Sequence, residues 1–167
     1  MKRVLTACAI WALASLASAA PLTLTGADGK SITLSDAEFA ALPREKITFD
    51  IHGAKATYEG PALTTILAKA GAPTGEALRG AALAQVALIK AADGYAVALS
   101  LGETDPALHD TQIILADKAD GKSLAAEDGP YRLIVGGDKR PARSARQVVA
   151  IEIKALAAGK PPAAMAH

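Results

Sequence analysis

The chain has 167 residues, 18 Lys and Arg against 17 Asp and Glu, and a formal net charge of +1. That length sets a single domain as the expectation, and the near-neutral balance excludes a nucleic-acid binder that works through an overall basic surface. The only cysteine, Cys8, and the only tryptophan, Trp11, stand near the start, so the rest of the chain has no disulfide, thiol nucleophile or thiolate metal ligand.

Lys2 and Arg3 open the chain, an apolar run fills residues 4–16, and Ala17-Ser18-Ala19 supplies small residues for cleavage. This is the pattern of a secretory signal peptide over residues 1–19, and its apolar run is too short for a permanent membrane anchor. Leu5-Thr6-Ala7-Cys8 resembles a lipoprotein cleavage box but comes too early in the run to serve as one. Loss of Lys2 and Arg3 takes the net charge to about −1. No other long apolar segment follows. The expectation is a periplasmic protein without stable membrane insertion, with one domain over residues 20–155 and a flexible tail over 156–167.

Residues 21–25 and 31–34 place Leu22, Leu24, Ile32 and Leu34 at alternate positions around an Asp28-Gly29 turn, which predicts a hairpin. Ser35 and Glu38 form a capping box for a short helix that Pro43 stops, with Leu34 and Phe39 as its hydrophobic staple. Residues 46–51 alternate again, with Ile47, Phe49 and Ile51 on one face, and His52-Gly53 ends that strand. Pro61 is placed as the first residue of a helix whose buried stripe is Leu63, Ile66, Leu67 and Ala70, closed by Gly71. Residues 84–91 and 95–101 form a second hairpin around Asp93-Gly94. A single helical turn follows Asp105-Pro106 and ends near His109. Residues 112–116 form a short apolar strand, and 117–128 is polar with turns at Asp120-Gly121 and Asp128-Gly129.

The last structured stretch, residues 129–153, begins as a strand over 131–135 and breaks at Gly136-Gly137. It then carries Lys139, Arg140, Arg143 and Arg146, and ends as a strand in which Val149, Ile151 and Ile153 alternate with Ala150 and Glu152. Two strands holding such a loop read as a frame for an anion site. The whole predicts an α+β domain, β-rich with mixed sheets and two or three short helices.

The order of these elements resembles the molybdopterin-binding domain of the sulfite-oxidase family, and in particular its small exported stand-alone forms. The resemblance rests on the strand at 46–51, Tyr58-Glu59-Gly60-Pro61-Ala62-Leu63 leading into a helix, Asp93-Gly94-Tyr95, and Gly129-Pro130-Tyr131-Arg132-Leu133 before a basic loop. It covers roughly residues 22–153. It implies a cleft for a pterin cofactor, with a cysteine ahead of the aromatic-x-Gly helix as the molybdenum ligand. This chain has Thr48, Asp50 and His52 in that region and no cysteine, and Ser144 where relatives carry a tryptophan. The resemblance therefore implies binding of a pterin or molybdopterin-like ligand without a protein-ligated metal. Some members of the group it points to report pterins to a membrane signalling protein, so the resemblance implies the periplasmic domain of such a protein as a partner. The alternative is a small molybdopterin-dependent oxidoreductase, or its subunit, whose metal is held by the pterin dithiolene alone.

The expected ligand contacts are Lys139, Arg140, Arg143 and Arg146, because guanidinium forks donate paired hydrogen bonds in one plane to carboxylates, phosphates or a pterin edge. The competing reading is a solvated basic loop balanced by Glu103, Asp105, Asp110 or Asp138. His52, with Thr48 and Asp50, either lines the cleft or is structural. Tyr95 opens a strand just after a turn, which suits an exposed cleft wall. Glu103 either accepts from a pterin amino edge or caps a helix, and capping is favoured for Asp105. His52, His109 and His167 are too far apart for metal-ligand spacing. There is no Gly-x-Ser-x-Gly elbow, and Gly136-Gly137 lacks the context of a phosphate-binding loop.

Overall fold

A computed structural model of the chain describes residues 21–156. The expected signal peptide, Cys8, Trp11 and nearly all of the expected tail lie outside those residues.

β1 (Leu22–Thr25) and β2 (Ser31–Leu34) form the expected antiparallel hairpin. Ser35 then caps α1 (Asp36–Ala40), accepting at Oγ from the Glu38 N–H at 3.3 Å, while Glu38 accepts from the Ser35 N–H at 2.9 Å. β3 (Arg44–Ile51) and β4 (Ala54–Pro61) pair antiparallel along their full length. His52 and Gly53 form their turn, with φ of 55° and 88°, the left-handed pair that a tight hairpin turn requires.

β4 corrects the sequence reading. Pro61 ends a strand rather than opening a helix, and α2 (Leu63–Lys69) begins after Ala62. The strand is hard to see because Lys55, Ala56, Thr57, Glu59 and Gly60 give it almost no apolar alternation; Tyr58 is its one buried large side chain. Gly60 is required by contact: a Cβ there would stand 2.0 Å from the Leu115 carbonyl oxygen. α2 buries Leu63, Ile66 and Leu67 and closes with the Ala72 N–H on the Leu67 carbonyl at 3.1 Å.

β5 (Gln85–Ala91) and β6 (Ala96–Ser100) form the second hairpin. Directly after it comes a short helix that the sequence reading lacks, α3 (Leu101–Thr104), with a capping box of Ser100 and Glu103. The expected turn after Asp105 is also present, with the Leu108 and His109 N–H groups both donating to the Asp105 carbonyl at 3.0 Å. β7 (Ile113–Ala116), the short pair β8 (Lys118–Ala119) and β9 (Lys122–Ser123), β10 (Arg132–Val135) and β11 (Val148–Ala155) complete the chain.

The strands make a mixed α+β architecture, as the sequence predicts. A five-stranded sheet runs β2-β1-β11-β5-β6, with β11 parallel to β1 and antiparallel to β5. A four-stranded sheet runs β3-β4-β8-β9, and β7 and β10 pair alone. That small sheet lies between two cores. Leu115, Leu133, Ile113 and Val135 join the larger one with Leu22, Phe39 and Ile66, while Ile114 and Ile134 join the smaller one with Ile47, Phe49 and Tyr58. Burial on both faces is why Ile113–Ala116 and Arg132–Val135 read as unbroken runs without alternation.

The opening and closing strands of the basic stretch are not a paired frame. β10 belongs to the small sheet and β11 to the large one, so the loop between them crosses from one sheet to the other. Its return limb is fixed to β10 by the Leu133 N–H on the Ala145 carbonyl at 2.8 Å and the Val148 N–H on the Tyr131 carbonyl at 2.9 Å. A bulge between Val148 and Ala150 also shifts the expected alternation, so that Val148, Ile151 and Ile153 face the core and Val149 does not.

Candidate ligand-binding cleft

The crossing loop forms one wall of a cleft of about 490 Å³. His52, at the tip of the β3–β4 hairpin, stands on one side. Asp93 and Tyr95, from the β5–β6 turn, stand on another. The loop supplies Ser144 and Arg146, Asp128 comes from the approach to β10, and Arg132 is the first residue of that strand. Three of the residues expected from the sequence, His52, Tyr95 and Arg146, therefore meet at one place. Arg140 stands beside it, sharing a hollow of about 390 Å³ with His52, Pro141 and Ala142. The Tyr95 ring is half-exposed, and its hydroxyl donates to the Ala142 carbonyl at 2.6 Å.

Arg132 and Ser144 differ in kind from the exposed cations around them. Arg132 is 9% exposed and Ser144 5%. Arg132 uses Nη1 to meet Asp128 Oδ1 at 2.5 Å, but its Nε is buried with no partner, and so is the Ser144 hydroxyl. A buried polar group left unpaired costs about 1–3 kcal/mol, and such groups are rare enough in folded proteins to need a reason. Two of them in residues lining one cleft are a reason for a ligand that completes their hydrogen bonds. The sequence reading missed both roles. The available signal was Arg132 itself, a charge at the head of an otherwise apolar strand, since arginine is almost never buried without a partner.

Arg143 and Glu103 are engaged elsewhere. Arg143 donates from Nε and Nη2 to Asp138 at 2.9 and 2.6 Å, and from Nη1 to Glu103 at 2.7 Å. The Asp138 hydrogen bonds, and then those of Glu103, hold the guanidinium above the ordinary arginine value despite partial desolvation. Glu103 spends its other oxygen on the Ser100 N–H and hydroxyl, both at 3.1 Å. These groups, with His109 and Thr111, surround a separate hollow of about 160 Å³. The balanced-loop reading thus describes Arg143, with Glu103 and Asp138 as its counter-ions, and Glu103 is a helix cap. Lys139 is exposed on the loop and lines neither the cleft nor the hollow beside it.

Thr48 and Asp50 do not join His52 in the cleft. The Thr48 hydroxyl pairs with that of Thr57 at 3.3 Å, and Asp50 accepts from the Gly53 N–H at 2.7 Å. Asp105 is buried and fully used, accepting from the Gly75 and Ala107 N–H groups at 2.7 and 2.8 Å. It borders a larger open hollow of about 640 Å³ beside α2, lined by Thr64, Lys69 and Thr74. Size does not make that hollow the better site, because no unpartnered buried group faces it. Among the described residues, no set of three or more His, Cys, Asp or Glu side chains is grouped to hold a metal ion, and no helix is long and apolar enough to cross a membrane.

The arrangement of mixed sheets around a cleft has a counterpart among solved structures, a distant likeness of fold. One solved structure with this likeness is the sulfane dehydrogenase SoxCD from Paracoccus pantotrophus, with a TM-score of 0.61 at 15% identity. The match covers 81% of this chain and 38% of the neighbour, so this chain spans well under half of that protein. No protein-family model matches the chain, and no curated protein matches it.

Proposed function

We propose that the protein binds a pterin-type small molecule in the cleft between His52, Tyr95, Arg132 and Arg146. In this reading it is an exported, periplasmic binding protein without redox chemistry, and it acts through the periplasmic domain of a membrane signalling partner. The observation that carries the binding role is the pair of buried, unpartnered polar atoms, Arg132 Nε and Ser144 Oγ, in residues that line the cleft. The cleft volume of about 490 Å³ suits a bicyclic heterocycle with a short side chain. An oxygen of such a ring would accept from both atoms. The half-exposed Tyr95 ring supplies a flat apolar wall.

The distant likeness to a sulfane dehydrogenase favours a second reading, in which the cleft holds molybdopterin and the protein is an oxidoreductase subunit. The donors present do not fit a protein-ligated molybdenum centre of the family kind. Among the described residues, His52 is the only imidazole lining the cleft, and there is no cysteine.

Mass spectrometry of small molecules that co-purify with the native protein from the periplasm, with metal analysis of the same sample, tests both readings. A pterin without molybdenum supports the first. Stoichiometric molybdenum would overturn it in favour of the second. Recovery of the protein from the cytoplasm alone would overturn the assigned compartment.

A further inference from the structure

Glu103, the carboxylate considered as an acceptor for the amino edge of a ring, and Asp105, for which capping is favoured, are both spent inside the fold. The carboxylates that do line the cleft are Asp93 and Asp128. They differ in how firmly they are held. Asp93 is exposed on the β5–β6 turn and accepts there from the Tyr95 N–H at 2.9 Å. Asp128 is partly buried, with its side chain 28% exposed, and Arg132 grips one of its oxygens at 2.5 Å. Its backbone is fixed on both sides, the N–H on the Ala125 carbonyl and the carbonyl accepting from Gln147, each at 2.9 Å. Among the described residues, no hydrogen bond engages its second oxygen, Oδ2.

The geometry points to Asp128 as the specificity-determining residue of the cleft, a fixed acceptor that selects ligands presenting an amino group beside a ring N–H. This rests on the ligand-binding role proposed above and names the ring chemistry it takes. A carboxylate locked by an arginine accepts hydrogen bonds but has none to give. Beside it, Arg132 Nε has a hydrogen to give and Ser144 Oγ can give one too. Two donors and an acceptor thus belong to residues that line one cleft, the donors lying beneath its surface. A 2-amino-4-oxo ring matches that order, with its amino and N–H groups toward Asp128 and its carbonyl toward Arg132 and Ser144. A 2,4-dioxo ring places a carbonyl oxygen against the carboxylate and is repelled. Selection of this kind is strong because the wrong ligand leaves a desolvated charge facing a like dipole.

Pterin and lumazine are isosteres that differ at this position, and both are fluorescent. Their dissociation constants for the full-length protein, measured by fluorescence anisotropy, test the assignment. Pterin is expected to bind at least about tenfold more tightly than lumazine, the value of one charge-assisted hydrogen bond. In Asp128→Asn the amide oxygen still accepts from Arg132, while its NH₂ can donate to the lumazine carbonyl, so the preference should fall to near unity or reverse. Asp93→Asn removes the same charge from the exposed rim and should leave the preference intact. Equal binding of pterin and lumazine by the wild type would overturn the role of Asp128 and leave the binding role standing. An equal loss of preference in both variants would assign it to the general field of the cleft instead. Failure of the wild type to bind either probe would overturn the binding role and this assignment with it.

Discussion

The guanidinium of Arg143 meets the carboxylate of Glu103 at 2.7 Å. The sequence places these two residues among the contacts of one ligand, yet they contact each other, with Asp138 completing the arginine's fork at 2.6 Å. Their bond ties the crossing loop to the cap of α3, so the loop's most strongly paired cation works as a brace. The arginine side chain is 40% exposed, and solvent screening limits what such a bond contributes.

Arg143→Ala is therefore expected to cost about 1 kcal/mol of stability, a fall of a few degrees in Tm. Pterin affinity should stay within about twofold, because Arg143 does not line the cleft. Thermal denaturation and a binding titration on the same preparation check this. A large loss of affinity with unchanged Tm would put Arg143 back among the ligand contacts.

Ser144→Ala separates folding from binding. The hydroxyl is buried without a partner, so its removal should leave the ligand-free protein as stable as before or raise Tm. Pterin binding should weaken about fivefold, the net value of about 1 kcal/mol for one hydrogen bond. A fall in Tm on this substitution would mean that the hydroxyl has a structural partner.

Gly60→Ala should be among the most damaging single changes. The added methyl would meet the Leu115 carbonyl at 2.0 Å and the Ala116 Cα at 2.7 Å, both backbone atoms that cannot swing aside. Separating β4 from β7 to admit it would open the boundary between the two cores, at a cost of about 3 kcal/mol or more. Urea unfolding of the soluble fraction measures this, and near-wild-type stability would contradict the close approach of these strands.

Acid should weaken the fold in a defined window. Arg44 hydrogen-bonds Glu59 at 2.9 Å and also pairs with Asp117. The Glu59 carboxyl is held below its ordinary value of 4.5 by hydrogen bonding to Arg44, with desolvation opposing. Glu152 is held down in the same way by Lys90 and then Lys154. A lowered folded-state value means that this stability is fully present above about pH 4.5 and is lost as pH falls through the lower folded values. Tm should be flat from neutrality to about pH 5 and then decline, and Glu59→Gln should make the decline shallower. An equally steep decline in that variant would assign the acid sensitivity to other groups.

Elements with local signals were legible in the sequence, and those fixed by distant packing were not. Ser35 with Glu38, and the alternation around Asp93-Gly94, depend on residues within one turn of each other, so the pattern reveals them. β4 carries its meaning in Gly60, whose reason is Leu115, far away in the chain. The basic loop shows the same division at the site. Its charge is plain in the sequence, but which arginine meets a carboxylate and which faces the cleft depends on Glu103, brought in from α3, and on how the fold orients Asp138 and Asp128 nearby in the chain. Arg132 was hidden inside a motif read as scaffold, because its importance lies in a buried Nε that only the folded arrangement leaves without a partner.

Pterin binding by wild type and Arg132→Lys, measured side by side by fluorescence titration with Tm recorded for both, tests the account most directly. Lysine keeps the positive charge beside Asp128 but has no Nε–H. The account predicts saturable binding by the wild type, affinity at least about tenfold weaker in Arg132→Lys, as expected for one charge-assisted hydrogen bond, and a variant that remains folded. Equal affinity in the two proteins, or no binding by the wild type, would contradict it.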